Sequence, residues 1–180
     1  LALILYGDLD ISIIDELPPN RKKIETFAVS KKLEQRIDAF IKKQIDEGRQ
    51  GYIVCPLVEE NEEMDLKSVI ELYEKYQKEI FPQYRVAYLH GKMRPKEKDQ
   101  IMLDFKDHKI DLLISTTVIE VGVDVPNANI MVIEDAQRFG LAALHQLRGR
   151  VGRGEYQSYC ILKYEGQSEN VRKRMKVMCD

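Results

Sequence analysis

The sequence predicts a three-layer α/β/α fold with a mainly parallel sheet, and three observations point there. Short, continuous apolar runs alternate with amphipathic helical stretches along most of the chain. The apolar runs lack the in-and-out alternation of a half-solvated sheet, so their strands must be buried on both faces. The stretches between them are long enough for helical crossovers, which a parallel sheet requires because each connection passes over one of its faces. At 180 residues the chain suits one domain with a core of its own.

Residues 1–23 show no long periodicity and close on LPPNRKK, where Pro18 and Pro19 enforce extended backbone. This segment is expected to be a linker, with residues 24–180 forming the domain. IETFAV reads as a strand, and Ser30 can cap a helix whose Leu33, Ile37, Phe40, Ile41 and Ile45 share one face before Gly48 closes it. YIVCP is a buried strand. The acidic run EENEEMD is expected to be a solvated insertion, followed by a second amphipathic helix marked by Leu66, Val69, Ile70, Tyr73 and Ile80. RVAYLHG is a strand, and Pro95 suits the first turn of a third helix running through Phe105. DLLIST and NIMVIE are strands, LAALHQL is a short helix, and YCILKY is the last strand.

Composition narrows the function classes. A formal charge of −2 with 32% charged residues describes an ordinary surface, so any nucleic-acid contact must come from a local patch. Cys55, Cys160 and Cys179 are odd in number, with no CxxC pair, which argues against a disulfide framework or a zinc site. They are expected to be reduced thiols of a cytoplasmic protein, with no metal bound by this chain. No apolar run reaches membrane-spanning length, and no signal peptide opens the chain. Starting on Leu1, inside the apolar stretch LALILYG, the sequence is expected to be a piece of a larger protein.

Three glycine-bearing loops carry the candidate chemistry. QLRGRVGRG, residues 146–154, sets Arg148, Arg150 and Arg153 around Gly149 and Gly152. Arginine's planar fork stays charged and meets phosphate oxygens bidentately, so this loop can complete a phosphate site that another element supplies. The competing account is a helix ending in basic residues and a glycine cap, with no ligand. In STTVIEVGVDVP, Thr116 and Thr117 open a turn whose N–H groups and hydroxyls can hold a phosphate, or can simply cap a helix. Gly122 permits close backbone approach there, and Asp124 can accept hydrogen bonds from ribose hydroxyls; the plainer account is a turn between strands. LHGKM places Gly91 beside His90, Lys92 and Arg94, a candidate backbone-gripping loop or a solvated basic cluster. All three loops are expected along the carboxyl edge of the sheet, where ligands of open α/β sheets gather. His145 has no nucleophile placed beside it by the sequence and is read as structural.

A self-sufficient nucleotide hydrolase needs GxxxxGK[ST], and no such loop occurs. Asp15 with Glu16, and Glu134 with Asp135, imitate the acidic pair that holds magnesium, but neither sits in the order such a site needs.

Taken together, STTVIEVGVDVP and QLRGRVGRG resemble motifs V and VI of the superfamily 2 helicases, and LHGKM resembles the segment before them. Within that superfamily, YGDLDISIIDELPPNRK, CPLVEENEEMDLKS, LHGKMRPKEKDQIM and RFGLAALHQLRGRVGRG are most similar to the bacterial ATP-dependent DNA helicases that remodel stalled forks and branched DNA. The transcription-repair coupling helicases share most of the last of these, but their linker and acidic loop are less similar. The resemblance implies a RecA-like, P-loop NTPase-like second helicase domain, with the first lobe in cis holding most of the ATP and Mg2+. It implies arginine fingers at Arg150 and Arg153, coupling of nucleotide to lobe closure through Gln146, and ribose-side contacts at Gly122 and Asp124. DNA phosphates would meet His90, Gly91, Lys92, Thr116 and Thr117. It further implies a cytoplasmic monomer acting on forked DNA. The piece alone is expected to be inactive; the alternative from the residues themselves is a non-catalytic nucleic-acid binding module.

Overall fold

The computed structural model describes residues 10–13, 23–57, 61–116, 125–166 and 169–179. Its strands are β1 (Asp10–Ile13), β2 (Glu25–Ser30), β3 (Gln50–Cys55), β4 (Val86–Leu89), β5 (Leu112–Thr116), β6 (Ala128–Ile133) and β7 (Tyr159–Tyr164). Its helices are α1 (Glu34–Asp46), α2 (Glu62–Lys75), α3 (Pro95–Lys106), α4 (Leu141–Arg148) and α5 (Glu169–Cys179). Among the described residues the strands form one sheet in the order β1-β2-β7-β6-β3-β5-β4. From β2 to β4 every pairing is parallel, as the continuous apolar runs require.

Alternate residues of the strands feed two cores. Tyr52, Val54, Leu113, Met131 and Leu162 pack with Met102 and Phe105 of α3, Leu144 and Leu147 of α4, and Met175 of α5. Phe27, Val29, Ile53, Ile114 and Val132 pack with Ile37, Phe40 and Ile41 of α1 and Val69 of α2. The helices therefore cover both faces, giving the predicted three layers. No described helix is long and apolar enough to cross a membrane.

Three elements depart from the sequence expectation. Inside the segment read as a linker, β1 pairs antiparallel with β2, Asp10 opposite Ala28 and Ile13 opposite Glu25. Four residues are too few to register as periodicity, and the strand is stabilised by the β2 edge it covers. The acidic run is not simply a solvated insertion: Asn61 Oδ1 accepts from the backbone N–H groups of Glu63 (3.0 Å) and Met64 (3.3 Å), so Glu62, Glu63 and Asp65 form the first turn of α2. Carboxylates there complement the helix dipole, and the asparagine cap contributes about 1 kcal/mol. Finally, α5 was not expected at all. Met175 and Cys179, four residues apart and both buried, attach this otherwise basic helix to β1, β2 and α4.

Candidate functional site

Because six strands run parallel, the sheet has a carboxyl edge and an amino edge, and the candidate loops divide between them. At the carboxyl edge, β4 ends beside β5, with Leu89 opposite Ser115. His90 follows at once and is buried; its ring Nδ1 accepts from the backbone N–H of Lys92 at 3.1 Å, and its carbonyl accepts from Met93 N–H at 3.0 Å. Burial also lowers its pKa below the ordinary histidine value, against the opposing pull of Asp65 and Glu62. His90, expected among the phosphate contacts, is instead turned inward, a neutral acceptor that holds the loop. Gly91 and Lys92 are exposed, and no atom lies within 4 Å of where a Cβ on Gly91 would sit. Lys92 Nζ lies 3.9 Å from Glu63 Oε1 of α2. Thr116, at the end of β5, is buried. Thr117, Gly122 and Asp124 lie outside the described residues.

The arginine loop lies elsewhere. Helix α4 runs back across the sheet and its loop leads into the first residue of β7, so it approaches the amino edge. The glycines fix this placement. Gly152 has φ +85°, and a Cβ there would come 2.8 Å from Ile24, the residue before β2. A Cβ on Gly154 would collide with the carbonyl oxygen of Pro126, two residues before β6. Gln157 accepts from Asn129 Nδ2 at 2.8 Å through its carbonyl, and its side-chain amide donates to the Lys23 carbonyl. The expectation that all three loops share the carboxyl edge is thus corrected: the helix between β6 and the loop carries the chain to the opposite end of the strands.

Within the loop the three arginines separate. Arg148 is buried; its Nη2 donates to His145 Nδ1 at 2.9 Å and its Nη1 to Thr26 Oγ1 of β2 at 3.4 Å. Since a guanidinium only donates, His145 must present an unprotonated Nδ1. Burial lowers the pKa of Arg148, although the guanidinium remains charged. It therefore anchors the end of α4. Gln146 is exposed on α4, Arg150 is half-buried and Arg153 is exposed. Gly152 and Gly154 make room for Ile24 and Pro126, so the turn that carries Arg150 and Arg153 packs closely against the amino ends of β2 and β6.

The acidic pair Glu134 and Asp135 is spoken for by protein groups. Glu134 Oε1 accepts from Tyr76 Oη at 2.5 Å and from Lys163 Nζ at 3.0 Å, all three residues being buried. Lys163 Nζ also donates to Tyr76 Oη at 2.8 Å and lies 3.9 Å from Glu34. Burial first, then Glu134, pushes the Tyr76 hydroxyl well above its usual pKa, so it stays a donor. Burial likewise pushes the Cys55 thiol up to about 12. Asp135 adopts φ +48° and pairs with Lys31 at 3.3 Å. Sequence reading missed this cluster; its only signal was a lysine inside the apolar strand YCILKY.

A parallel sheet covered on both faces by helices, with a cation-and-glycine loop at either end of its strands, has the architecture of a RecA-like helicase C-terminal lobe. Residues 28–155 match the helicase conserved C-terminal domain, and the chain belongs to that family. It is 49% identical over 180 residues to the ATP-dependent DNA helicase RecG of Bacillus subtilis, covering all of this chain and 26% of the relative. To RecG of Thermotoga maritima it is 47% identical over 176 residues, covering 98% of this chain and 23% of that protein. The chain thus spans about a quarter of the length of these curated relatives. Among solved structures, RecG bound to a three-way DNA junction matches with a TM-score of 0.76 and 43% identity, over 92% of this chain and 21% of that one. The yeast protein Dbp5 bound to RNA and ADP BeF3 shares the fold, with a TM-score of 0.57 and 20% identity, over 79% of this chain and 36% of its own.

Proposed function

We propose that this chain is the second motor lobe of an ATP-dependent double-stranded DNA translocase that remodels branched DNA and stalled replication forks. The observation that carries the reading is the loop from Gly149 to Gln157, pinned at Gly152 and Gly154 so that Arg150 and Arg153 sit on a turn of fixed shape. Preorganised guanidiniums suit the developing charge of a phosphoryl group, because no reorganisation is needed at the moment of reaction. Similarity to RecG over the whole chain supports the DNA-remodelling class.

ATP with Mg2+, when bound, supplies the phosphoanhydride whose cleavage drives the cycle. The residues here fit only part of that ligand: the sequence has no GxxxxGK[ST] loop, and the described residues include no cluster of His, Cys, Asp or Glu suited to a metal. The first lobe, in cis, would hold most of the nucleotide and the metal. Arg150 and Arg153 would reach the phosphates from the amino edge, with Gly122 and Asp124 toward the ribose. Gln146 would couple that contact to lobe closure. At the carboxyl edge Gly91 and Lys92 would grip phosphates of the duplex, with His90 bracing the loop from inside; Thr116, expected to share the grip, is buried at the end of β5. Closing and opening of the lobes would then move these grips along DNA. The protein would act as a cytoplasmic monomer.

In the full-length protein, Arg153→Ala should lose DNA-dependent ATP hydrolysis while keeping its fold by circular dichroism. Hydrolysis at the wild-type rate would defeat the proposal. A non-catalytic nucleic-acid module would instead require salt-sensitive DNA binding by the 180-residue chain alone, in a protein whose ATPase is indifferent to Arg153.

A further inference from the structure

We propose that Arg49 is a positioning residue for Arg153, acting through a stack on Tyr156 that fixes the far flank of the arginine loop; the inference rests on the assignment of Arg153 to nucleotide phosphate. Arg49 immediately precedes β3 at the amino edge, far from the loop in sequence. Its guanidinium carbon lies 3.3 Å from the centroid of the Tyr156 ring. Its Nη2 donates to the Glu47 carbonyl at 3.2 Å, while its Nη1 is buried with no hydrogen-bond partner. A guanidinium that leaves a donor unused is held there by the ring face, where charge and quadrupole attract. Tyr156 is itself 50% exposed, so burial does not dictate its orientation.

The loop is anchored at Gly152 by Ile24, at Gly154 by Pro126 and at Gln157 by Asn129. Tyr156 is the side-chain anchor between the last two, and Arg153 projects from between the first two. A cleft of about 170 Å³ lies beside the stack, lined by Gln44, Arg49, Asn129 and Tyr156. It gives the ring somewhere to swing once Arg49 is gone, and a displaced Tyr156 releases the flank that sets the direction of Arg153.

In the full-length protein, Arg49→Ala and Tyr156→Ala are each expected to lower the kcat of ATP hydrolysis about two- to five-fold, the range of an exposed cation–π contact, with KM for ATP unchanged. Tyr156→Phe keeps the ring and should keep the wild-type kcat. Combined with Arg153→Ala, Arg49→Ala should cause no further loss, because it acts through that residue. Wild-type kcat in both alanine variants, with Arg153→Ala inactive, overturns the positioning role and leaves the assignment of Arg153 standing. Equal losses in Tyr156→Phe and Tyr156→Ala also overturn it, since the hydroxyl would then matter and not the ring. A fully active Arg153→Ala overturns the underlying assignment.

Discussion

At the carboxyl edge a methyl group added to Gly91 meets open space, whereas at the amino edge one added to Gly154 runs into the Pro126 carbonyl. Both loops pair glycine with basic residues, yet the physical use of the glycine is opposite. Beside Lys92 it leaves the surface clear for a backbone to approach from outside. Beside Arg153 it lets the protein's own backbone close in on the loop. A grip that must release and regrip tolerates an open loop, whereas a charge aimed at a transferring phosphoryl group needs a rigid one.

The strongest way to break this comparison is to remove the charge from one edge and read the other. Arg153→Ala in the full-length protein should lower ATP turnover by roughly 10³ to 10⁵, the worth of an arginine finger where it has been measured. Binding of forked DNA at low salt, read by fluorescence anisotropy, should stay within about two-fold of wild type, because the loop proposed to grip DNA lies at the other end of the strands. A matching loss of DNA affinity would mean that the two edges do not divide the work as drawn.

Next in size is the cluster beneath α1. Glu134→Gln leaves Lys163 buried with its nearest anion gone, and breaking a buried pair in this way costs about 3–5 kcal/mol. The same cluster holds the end of β6, from which the chain departs toward α4. Urea unfolding should show the loss in full. A change below about 1 kcal/mol would mean that Glu34, 3.9 Å from Lys163, takes over the charge.

How much of this was legible in the sequence depends on where the information resides. The helices α1 to α4 and the six parallel strands were readable because burial on both sheet faces imposes long apolar runs and helical stripes. Helix α5 escaped because its apolar contacts, Met175 and Cys179 buried with Val171 packed beside them, are spread thinly among the charges of ENVRKRMKVMC. The site was legible as residue types but not as geometry. That Arg148 turns in to Thr26 while Arg153 turns out follows from contacts 122 residues apart, which no local spacing encodes. The assignment of loops to edges failed for the same reason: the direction of α4 decides it, and periodicity carries no direction.

The two glycines give a direct test of the difference in packing. Gly154→Ala forces a methyl group against fixed backbone and should destabilise the chain by about 1–3 kcal/mol, as overpacking does. Gly91→Ala should change stability by less than about 0.5 kcal/mol, since the site is open. Its effect should appear in DNA binding, where the added methyl stands between backbone and phosphate. Equal thermal shifts in the two variants would erase the distinction between an open and a pinned loop.

The smallest effect probes the open loop itself. Lys92 lies 3.9 Å from Glu63, which is 85% exposed on the first turn of α2, so part of its charge is answered from within the protein. An exposed pair of this kind is worth about 0.2–1 kcal/mol. Lys92→Gln should weaken DNA binding and reduce the slope of log affinity against log salt by about 1, the signature of one lost phosphate contact. Glu63→Gln should do the reverse, tightening binding up to about five-fold at low ionic strength and losing the gain near 1 M salt, where the screening length falls to about 3 Å. The double variant separates the explanations. If Glu63 acts only by occupying Lys92, removing it has no effect once Lys92 is gone; a gain that persists would mean that α2 repels the duplex as a whole.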